Sequence, residues 1–248
     1  MTEHVHVSDD GPVRTIRINR PEKRNAVTGA MYHAMAQAIE DADPSTIRCL
    51  LIAGVPGAFS AGNDLADFLS AGSSTPGAEP ALAFLYALAR CETPIVAAVQ
   101  GVAVGIGTTL LLHCDHVVAG TDARFSTPFV SLGLVPEGAS SLLAPRLMGY
   151  GRAFSLLVMG EALDAAQAVS CGLINKVVPP EDVDRDGLSA ARKIAALPPE
   201  AVAISRRLLR GSSDAIVARI NDEAELFRAR LASREAQAAF AAFLSRKG

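Results

Sequence analysis

The sequence predicts an α/β protein in which short buried strands alternate with helices and a helical C-terminal third follows. Three observations lead to this class. Short apolar runs such as 48–54 and 93–101 are typical of parallel strands buried on both faces. Segments with apolar residues at helical spacing, such as 28–43, follow these runs. After about residue 142 strand patterns nearly vanish, with 173–178 as the exception.

The N-terminal elements are expected to form a β-hairpin and a helix. Apolar and polar residues alternate in "HVHV" (4–7) and "PVRTIRI" (12–18), and "SDDG" (8–11) between them is a turn signal. After a loop, "TGAMYHAMAQAIEDAD" (28–43) has the apolar spacing of an amphipathic helix.

The middle of the chain is expected to repeat strand, loop and helix. Predicted strands lie at 48–54, 93–101, 115–120 and 123–128, and predicted helices at 64–69, 81–91 and 105–114. The segment 70–80 has the composition of a surface loop. The predicted C-terminal helices cover 180–197, 198–211 and 213–248.

Composition excludes several functions. A net charge of −3 gives no electrostatic basis for binding nucleic acid or a membrane surface. The longest apolar region, 94–113, is interrupted by glycines, threonines and Gln100, which argues against a membrane span. The polar N-terminus excludes an ordinary signal peptide. Four scattered cysteines in apolar surroundings indicate a reduced protein, so we expect a cytoplasmic location.

Two glycine-rich segments, "GAFSAGNDL" (57–65) and "GVAVGIGTT" (101–109), each lie between a predicted strand and a predicted helix. Glycine lets a backbone N–H approach a ligand closely, and a helix N-terminus adds unpaired donors. Two such loops could place one N–H each on a single oxygen, which is an oxyanion hole. For each loop alone, an ordinary strand–helix turn is the simpler explanation.

Other site types fit the sequence poorly. Neither loop has the glycine spacing of a dinucleotide-binding fingerprint or the lysine of a phosphate loop, and G-x-S-x-G is absent. His113 and His116 are three residues apart, but the predicted helix ends near Cys114, so their rings should diverge. We therefore expect no metal.

Glu137 is the one acid in "PFVSLGLVPEGAS" (128–140). Such a carboxylate either stabilises the start of the following helix or takes part in proton chemistry. The surrounding residues alone leave both roles open.

Taken together, five ordered motifs resemble the enoyl-CoA hydratase/isomerase (crotonase) family, and within it the Δ3,Δ2-enoyl-CoA isomerase branch with its peroxisomal-type motif. The motifs are "NRPEKRNAV", "GAFSAGNDL", "QGVAVGIGTTLLLHCDHVVA", "ARFSTPFVSLGLVPEGASS" and "GEALDAAQAVSCGLINKVVP". The resemblance implies a crotonase-like spiral of ββα units over 1–190 that contains the active site, and a helical oligomerisation region over 191–248. It also implies an acyl-CoA thioester ligand, a homotrimer or dimer of trimers, and no cofactor beyond the coenzyme A of the substrate.

By the same resemblance, the backbone N–H groups of Asn63 and Ile106 form the oxyanion hole. Asn63 follows Gly62, and Ile106 lies between Gly105 and Gly107, where the family usually has three consecutive glycines. A backbone donor survives that change if its conformation is allowed to isoleucine.

The resemblance also implies a set of residues along the coenzyme A and acyl path. They are Lys23, Arg24, Ala61, Gly62, Asp64, Leu65, Gly105, Gly107 and Phe129, with Phe243 and Lys247 of the tail as further candidates. For Lys23 and Arg24, solvated surface charge is an equal alternative. For the two tail residues, a helix packing stripe with a basic end is the simpler reading.

The two glutamates that hydratases of this family use are replaced here by Thr109 and Phe129. Hydration needs an acid and a base around one water, so ordinary hydratase activity should be lost. "TPFVSLGLVPEG" resembles the isomerase motif, which makes Glu137 the expected single proton shuttle from C2 to C4 of a 3-enoyl-CoA. Phe129, Leu134 and Val135 are expected to exclude water from it. Hydratase-like, thioesterase or decarboxylase activity, or an inert acyl-CoA binder, stay as alternatives.

Overall fold

The computed structural model describes residues 2–64 and 78–245. The strands are β1 (Val5–Asp10), β2 (Val13–Ile18), β3 (Cys49–Ala53), β4 (Ala58–Ser60), β5 (Ile95–Val99), β6 (Val102–Val104), β7 (His116–Gly120), β8 (Arg124–Ser126), β9 (Leu163–Asp164) and β10 (Lys176–Val178). The helices are α1 (Gly29–Glu40), α2 (Ala78–Arg90), α3 (Ile106–Thr109), α4 (Ser140–Met148), α5 (Tyr150–Phe154), α6 (Ala165–Ser170), α7 (Val183–Ala195), α8 (Pro199–Arg210), α9 (Ser213–Leu231) and α10 (Arg234–Ser245).

Six strands form the main sheet in the order β1-β2-β3-β5-β7-β10. β1 and β2 are an antiparallel hairpin, and each further neighbour pairs in parallel. The predicted hairpin is thus confirmed, but β1 runs through Asp10, so the turn lies at Gly11 and Pro12 rather than over 8–11.

The main sheet is buried on both faces, which explains the apolar runs in the sequence. In β3, Leu50 and Ile52 belong to the larger core, whereas Cys49 and Leu51 pack on the opposite face under α7. A Cβ built on Gly187 of α7 would lie 2.8 Å from the Ala98 Cβ atom, so this glycine lets the helix approach the sheet closely.

A second sheet has the strand order β4-β6-β8-β9. Its first three strands pair in parallel and β9 is antiparallel to β8. The sequence predicted β8, but β4 and β6 lie inside the segments interpreted as glycine-rich loops. Strands of three residues are too short to give a readable period.

The helical C-terminal third is confirmed, although the expected helix 213–248 is interrupted at Ala232 and Ser233 between α9 and α10. α9 packs against α2 and α4, and α10 contacts the turn after Phe129. The C-terminal region therefore packs on the core, and residues of α9 line one cavity together with Asn63 of the first glycine segment. The predicted helix over 64–69 and most of the predicted loop over 70–80 lie outside the described residues. Within the described ranges no helix is both long and apolar enough to cross a membrane.

Candidate active site

The two glycine segments touch each other through their backbones. A Cβ built on Gly62 would lie 2.9 Å from the carbonyl oxygen of Val104, and one on Gly107 would lie 2.9 Å from that of Ser60. Gly62 also has a φ of 88°, in the left-handed region. Both positions require glycine because a larger residue would force the two segments apart.

The backbone around Asn63 leaves its own N–H free of the adjoining strand. Val27 forms a parallel bridge with Asn63 by donating to the Gly62 carbonyl at 2.8 Å and accepting from the Asp64 N–H at 2.9 Å. In a parallel bridge of this kind the central residue directs its own N–H away from its partner. Across the described residues, no protein acceptor is found for the Asn63 N–H.

Ile106 is the first residue of α3, directly after Gly105, whose φ is 55°. N–H groups in the first turn of a helix have no intrahelical partner. Thr108 and Thr109 donate to the Gly105 carbonyl, whereas the Ile106 N–H has no acceptor within 2–64 and 78–245. Both amides expected to form an oxyanion hole are thus unpaired; their convergence on one oxygen stays a prediction.

Tyr32 of α1 holds the side chain of Asn63. Its hydroxyl donates a short hydrogen bond to the Asn63 Oδ1 atom. Tyr32 is buried, and burial followed by the nearby Glu137 raises its pKa well above the ordinary value. The phenol therefore stays protonated and remains a donor.

Glu137 is partly buried, and its carboxylate accepts a hydrogen bond from the hydroxyl of Thr109 at 2.5 Å. Burial raises the pKa of Glu137 to about 7, the Thr109 hydrogen bond opposes this rise, and the carboxylate of Glu223 adds to it. A carboxyl with a pKa near neutrality is suited to exchange protons with a weak carbon acid.

An apolar cavity of about 60 Å³ contains the Glu137 carboxyl. Its described lining residues are Tyr32, Asn63, Ala81, Leu82, Leu85, Glu137, Gly138, Ile220, Ala224, Phe227, Arg228 and Leu231. The structure thus brings Asn63 and Glu137 to one cavity. We expected Phe129, Leu134 and Val135 to surround Glu137. None of them is among the described lining residues, most of which belong to α1, α2 and one face of α9. Phe129 and Ile106 are buried outside this lining.

The helix-capping role considered for Glu137 is filled by a different residue. Glu223 of α9 accepts hydrogen bonds from the backbone N–H groups of Ala139 and Ser141, at 2.6 and 2.9 Å, at the start of α4. Sequence reasoning missed Glu223. The spacing Ile216, Ile220, Glu223 puts it on the buried stripe of α9, which was the available signal.

The structure describes some, but not all, of the residues expected along the coenzyme A path. Asp64 forms an ion pair with Arg20 at 2.7 Å, and the Ala61 N–H donates to the Arg24 carbonyl at 2.9 Å. Lys23 and Arg24 are exposed on a short 3₁₀ turn, and Arg24 has a φ of 49°. Their contact with a ligand stays a prediction. Leu65, Lys247 and the side chain of Phe243 lie outside the described residues.

The two histidines have separate surroundings. His113 ends the 3₁₀ turn after α3 and its Nε2 atom lies 2.8 Å from the carbonyl oxygen of Gly138, whereas His116 opens β7. Burial lowers the pKa of His113 to about 4, so the ring is neutral at pH 7. Over the described ranges no group of three or more His, Cys, Asp or Glu residues could hold a metal ion.

Fold and site together describe an α/β protein in which Asn63 and the acid Glu137 line one apolar cavity, and in which the backbone N–H groups of Asn63 and Ile106 have no acceptor among the described residues. Residues 9–248 match the enoyl-CoA hydratase/isomerase family model. The chain belongs to the enoyl-CoA hydratase/isomerase family.

Relatives within the family differ in activity. The chain is 34% identical to enoyl-CoA delta isomerase 2 of Rattus norvegicus, over 97% of this chain and 63% of that protein. The chain thus spans less than two thirds of that relative. It is 29% identical to a probable enoyl-CoA hydratase of Rhizobium meliloti, over 99% of this chain and 96% of that one.

A solved structure of similar sequence has the same fold. The crystal structure of an enoyl-CoA hydratase/isomerase from Pseudoalteromonas atlantica T6c superposes with a TM-score of 0.92 at 40% identity, covering 98% of each chain. The crotonase fold expected from the motifs is therefore confirmed, while the type of reaction is left open by these similarities.

Proposed function

We propose that the protein shifts the double bond of a 3-enoyl-CoA thioester from C3 to C2. The observation that carries the proposal is Glu137, whose carboxyl has a pKa of about 7 and faces the apolar cavity. Glu137 is the one acid among the described lining residues. An isomerisation needs a single group to remove and return a proton, and one such group is available.

The thioester carbonyl of the substrate accepts hydrogen bonds from the N–H groups of Asn63 and Ile106. Both amides are unpaired in the described protein, and the contact between the two glycine segments holds them on neighbouring backbones. Loss of one donor of this kind typically costs about 3–4 kcal/mol of transition-state stabilisation.

Glu137 removes a proton from C2 while the electrons of that C–H bond move onto the thioester oxygen. The product of this step is a dienolate, held by the two amides. The protonated carboxyl then gives its proton to C4, where the electrons of the C3–C4 double bond form the new C–H bond. The oxyanion re-forms the thioester carbonyl, and the double bond now lies between C2 and C3. No atom is gained or lost, and neither a metal nor a redox cofactor is required.

Hydration fits this site less well. The two positions that carry hydratase glutamates hold Thr109 and Phe129, and the Thr109 hydroxyl is committed as a donor to Glu137. Phe129 is buried and cannot exchange a proton. A water molecule next to Glu137 would therefore lack the second acid–base group that addition across a double bond needs.

The test is a product analysis with the purified protein on 3-enoyl-CoA esters of graded length, beside 2-enoyl-CoA and malonyl-type esters. We expect 2-enoyl-CoA from the first set. Formation of 3-hydroxyacyl-CoA would indicate a hydratase, free thiol a thioesterase, and carbon dioxide a decarboxylase. Tight binding of all esters without turnover would indicate an inert acyl-CoA binder.

We also propose that the protein assembles through the region 191–248 into trimers or dimers of trimers. Leu208 and Leu209 of α8 are 79% and 89% exposed in the single chain, and Leu226 of α9 is 58% exposed. Large apolar side chains left exposed in the single chain favour a contact between copies. Analytical ultracentrifugation gives the assembly state directly, and a monomer at micromolar concentration would contradict the proposal.

A further inference from the structure

We propose that Glu223 of α9 is the positioning residue for Glu137, holding the backbone that carries it and acting on it as a second negative charge. The inference rests on the proposed function, because it concerns the readiness of Glu137 to accept a proton. It assigns a role in the proton chemistry to the C-terminal helical region, which the sequence linked to oligomerisation and, through Phe243 and Lys247, to coenzyme A.

The contacts of Glu223 all lie at the start of α4. Its Oε2 atom accepts from the Ala139 N–H at 2.6 Å, and its Oε1 atom accepts from the N–H and hydroxyl of Ser141 at 2.9 and 2.5 Å. Glu223 is only 5% exposed. Three donors converging on a buried carboxyl favour its ionised form.

These contacts control the segment that carries Glu137. Ala139 has a φ of 57°, in the left-handed region that alanine rarely occupies, and it is two residues from Glu137. On the other side of the same turn, His113 is hydrogen-bonded to the Gly138 carbonyl at 2.8 Å. The turn is thus fixed by hydrogen bonds on both sides, and Glu223 makes those that come from the C-terminal region.

Arg228 of α9 lines the same cavity as Glu137, and three further charged or titratable groups lie around this pair in the described structure. Arg219, one turn earlier on α9, donates to the Ser141 hydroxyl at 3.1 Å and favours the ionised form of Glu223. His113 is neutral at pH 7, and Tyr32 stays protonated. Burial raises the pKa of Glu223, and its hydrogen bonds to Ser141 and Ala139 oppose that rise.

The carboxylate of Glu223 therefore acts on Glu137 as a like charge. Its effect on Glu137 is an increase in pKa, smaller than the effects of burial and of the Thr109 hydrogen bond. α9 also supplies Ile220, Ala224 and Phe227 to the cavity wall. A displacement of this helix would change the shape of the cavity and the basicity of Glu137 together.

The test compares Glu223→Gln, Glu223→Asp and the control Glu225→Gln in the full-length protein. Glu225 lies on the same helix but is exposed, so its substitution removes a charge without touching α4. The pKa of Glu137 is measured by ¹³C NMR of labelled glutamate carboxyls. The signal of Glu137 is assigned as the one that is absent from the spectrum of Glu137→Gln. The pH profile of kcat for isomerisation is measured alongside.

Glu223→Gln should lower the pKa of Glu137 by a fraction of a pH unit, less than the Thr109 hydroxyl shifts it, because a neighbouring like charge is lost. Glu223→Asp should keep that pKa but lower kcat about tenfold, since the shorter side chain no longer reaches both amides. Glu225→Gln should change neither value. A merely structural role for Glu223 would lower kcat without moving the pKa.

An unchanged pKa of Glu137 in folded Glu223→Gln would overturn the inference. If that variant does not fold, Glu223→Asp decides, and a wild-type kcat for it would overturn the positioning role. Absence of isomerase activity in the wild type would refute the proposed function instead. In that case the NMR titration still tests the link between the two carboxyls.

Discussion

The hydrogen bond from Thr109 to Glu137 gives the sharpest prediction from the site. Thr109→Val removes the hydroxyl and keeps the shape of a side chain that is fully buried. Because the hydroxyl donates to the carboxylate at 2.5 Å, it favours the ionised form and holds the pKa of Glu137 down against burial. Without it, that pKa should rise above 7.

The size of the rise follows from the strength of such bonds. A hydrogen bond to a charged group contributes about 1.5–3 kcal/mol, and each pKa unit corresponds to about 1.4 kcal/mol. A rise of at least about one unit is therefore expected. If the pKa moves from about 7 to about 8, the ionised fraction at pH 7 falls from about one half to about one tenth. Isomerisation at pH 7 should drop about fivefold and recover by pH 9.

The assay is the pH dependence of kcat/KM for a 3-enoyl-CoA ester. The acidic limb should move to higher pH in Thr109→Val. Thr108→Val is the matched control, because its hydroxyl lies in the same turn but donates to the Ala103 carbonyl at 2.6 Å. If the acidic limb of the kcat/KM profile of Thr109→Val stays in place or moves to lower pH, Glu137 is not a base whose pKa this hydroxyl lowers.

Three further predictions follow from the same geometry. Burial raises the pKa of Glu137 from 4.5 to about 7, so its charge destabilises the fold as pH rises through that window. Glu137→Gln should then raise the free energy of unfolding by about 2 kcal/mol at pH 8, and should hardly change it at pH 4. The value at pH 8 is smaller than the whole pKa shift of Glu137 would give, because its side chain is partly exposed. Denaturant titration at the two pH values measures this, and equal gains at both would contradict it. Gly107→Ala should lower kcat about 100-fold, because the new Cβ atom would press on the Ser60 carbonyl and displace one oxyanion donor. Gly151→Ala, with no atom within 4 Å of the added Cβ, is its control and should keep full activity. Ala224→Leu should narrow the cavity and raise KM about tenfold for long acyl chains but little for short ones, and a uniform change across chain lengths would argue against this wall.

The fold class could be predicted because the main sheet is buried on both faces. In β3 and β5 all five residues are buried, so each strand leaves an apolar run that differs from the spacing of α1 or α7. The second sheet could not be predicted in the same way. β4 and β6 have three residues each, and their pairing depends on contacts between segments about 40 positions apart in the chain.

Part of the proposed site stands out locally in the sequence, although the role of each residue came from the family resemblance. Glu137 is one acid in an apolar run, and the two donors lie beside glycines. Tyr32 and Glu223 were missed because each acts across the fold, on Asn63 and on the start of α4. Glu223 was still detectable in principle, since helical spacing puts it on the apolar stripe of α9, where an unpaired acid would be costly.

The central claim is that one carboxyl, Glu137, moves the proton. Its most direct test is the rate of conversion of a 3-enoyl-CoA to the 2-enoyl-CoA by Glu137→Gln, measured next to the affinity of the same variant for the ester. We predict a fall of at least about 1,000-fold in kcat with binding within a few-fold of wild type. Turnover close to wild type in the glutamine variant would contradict the account.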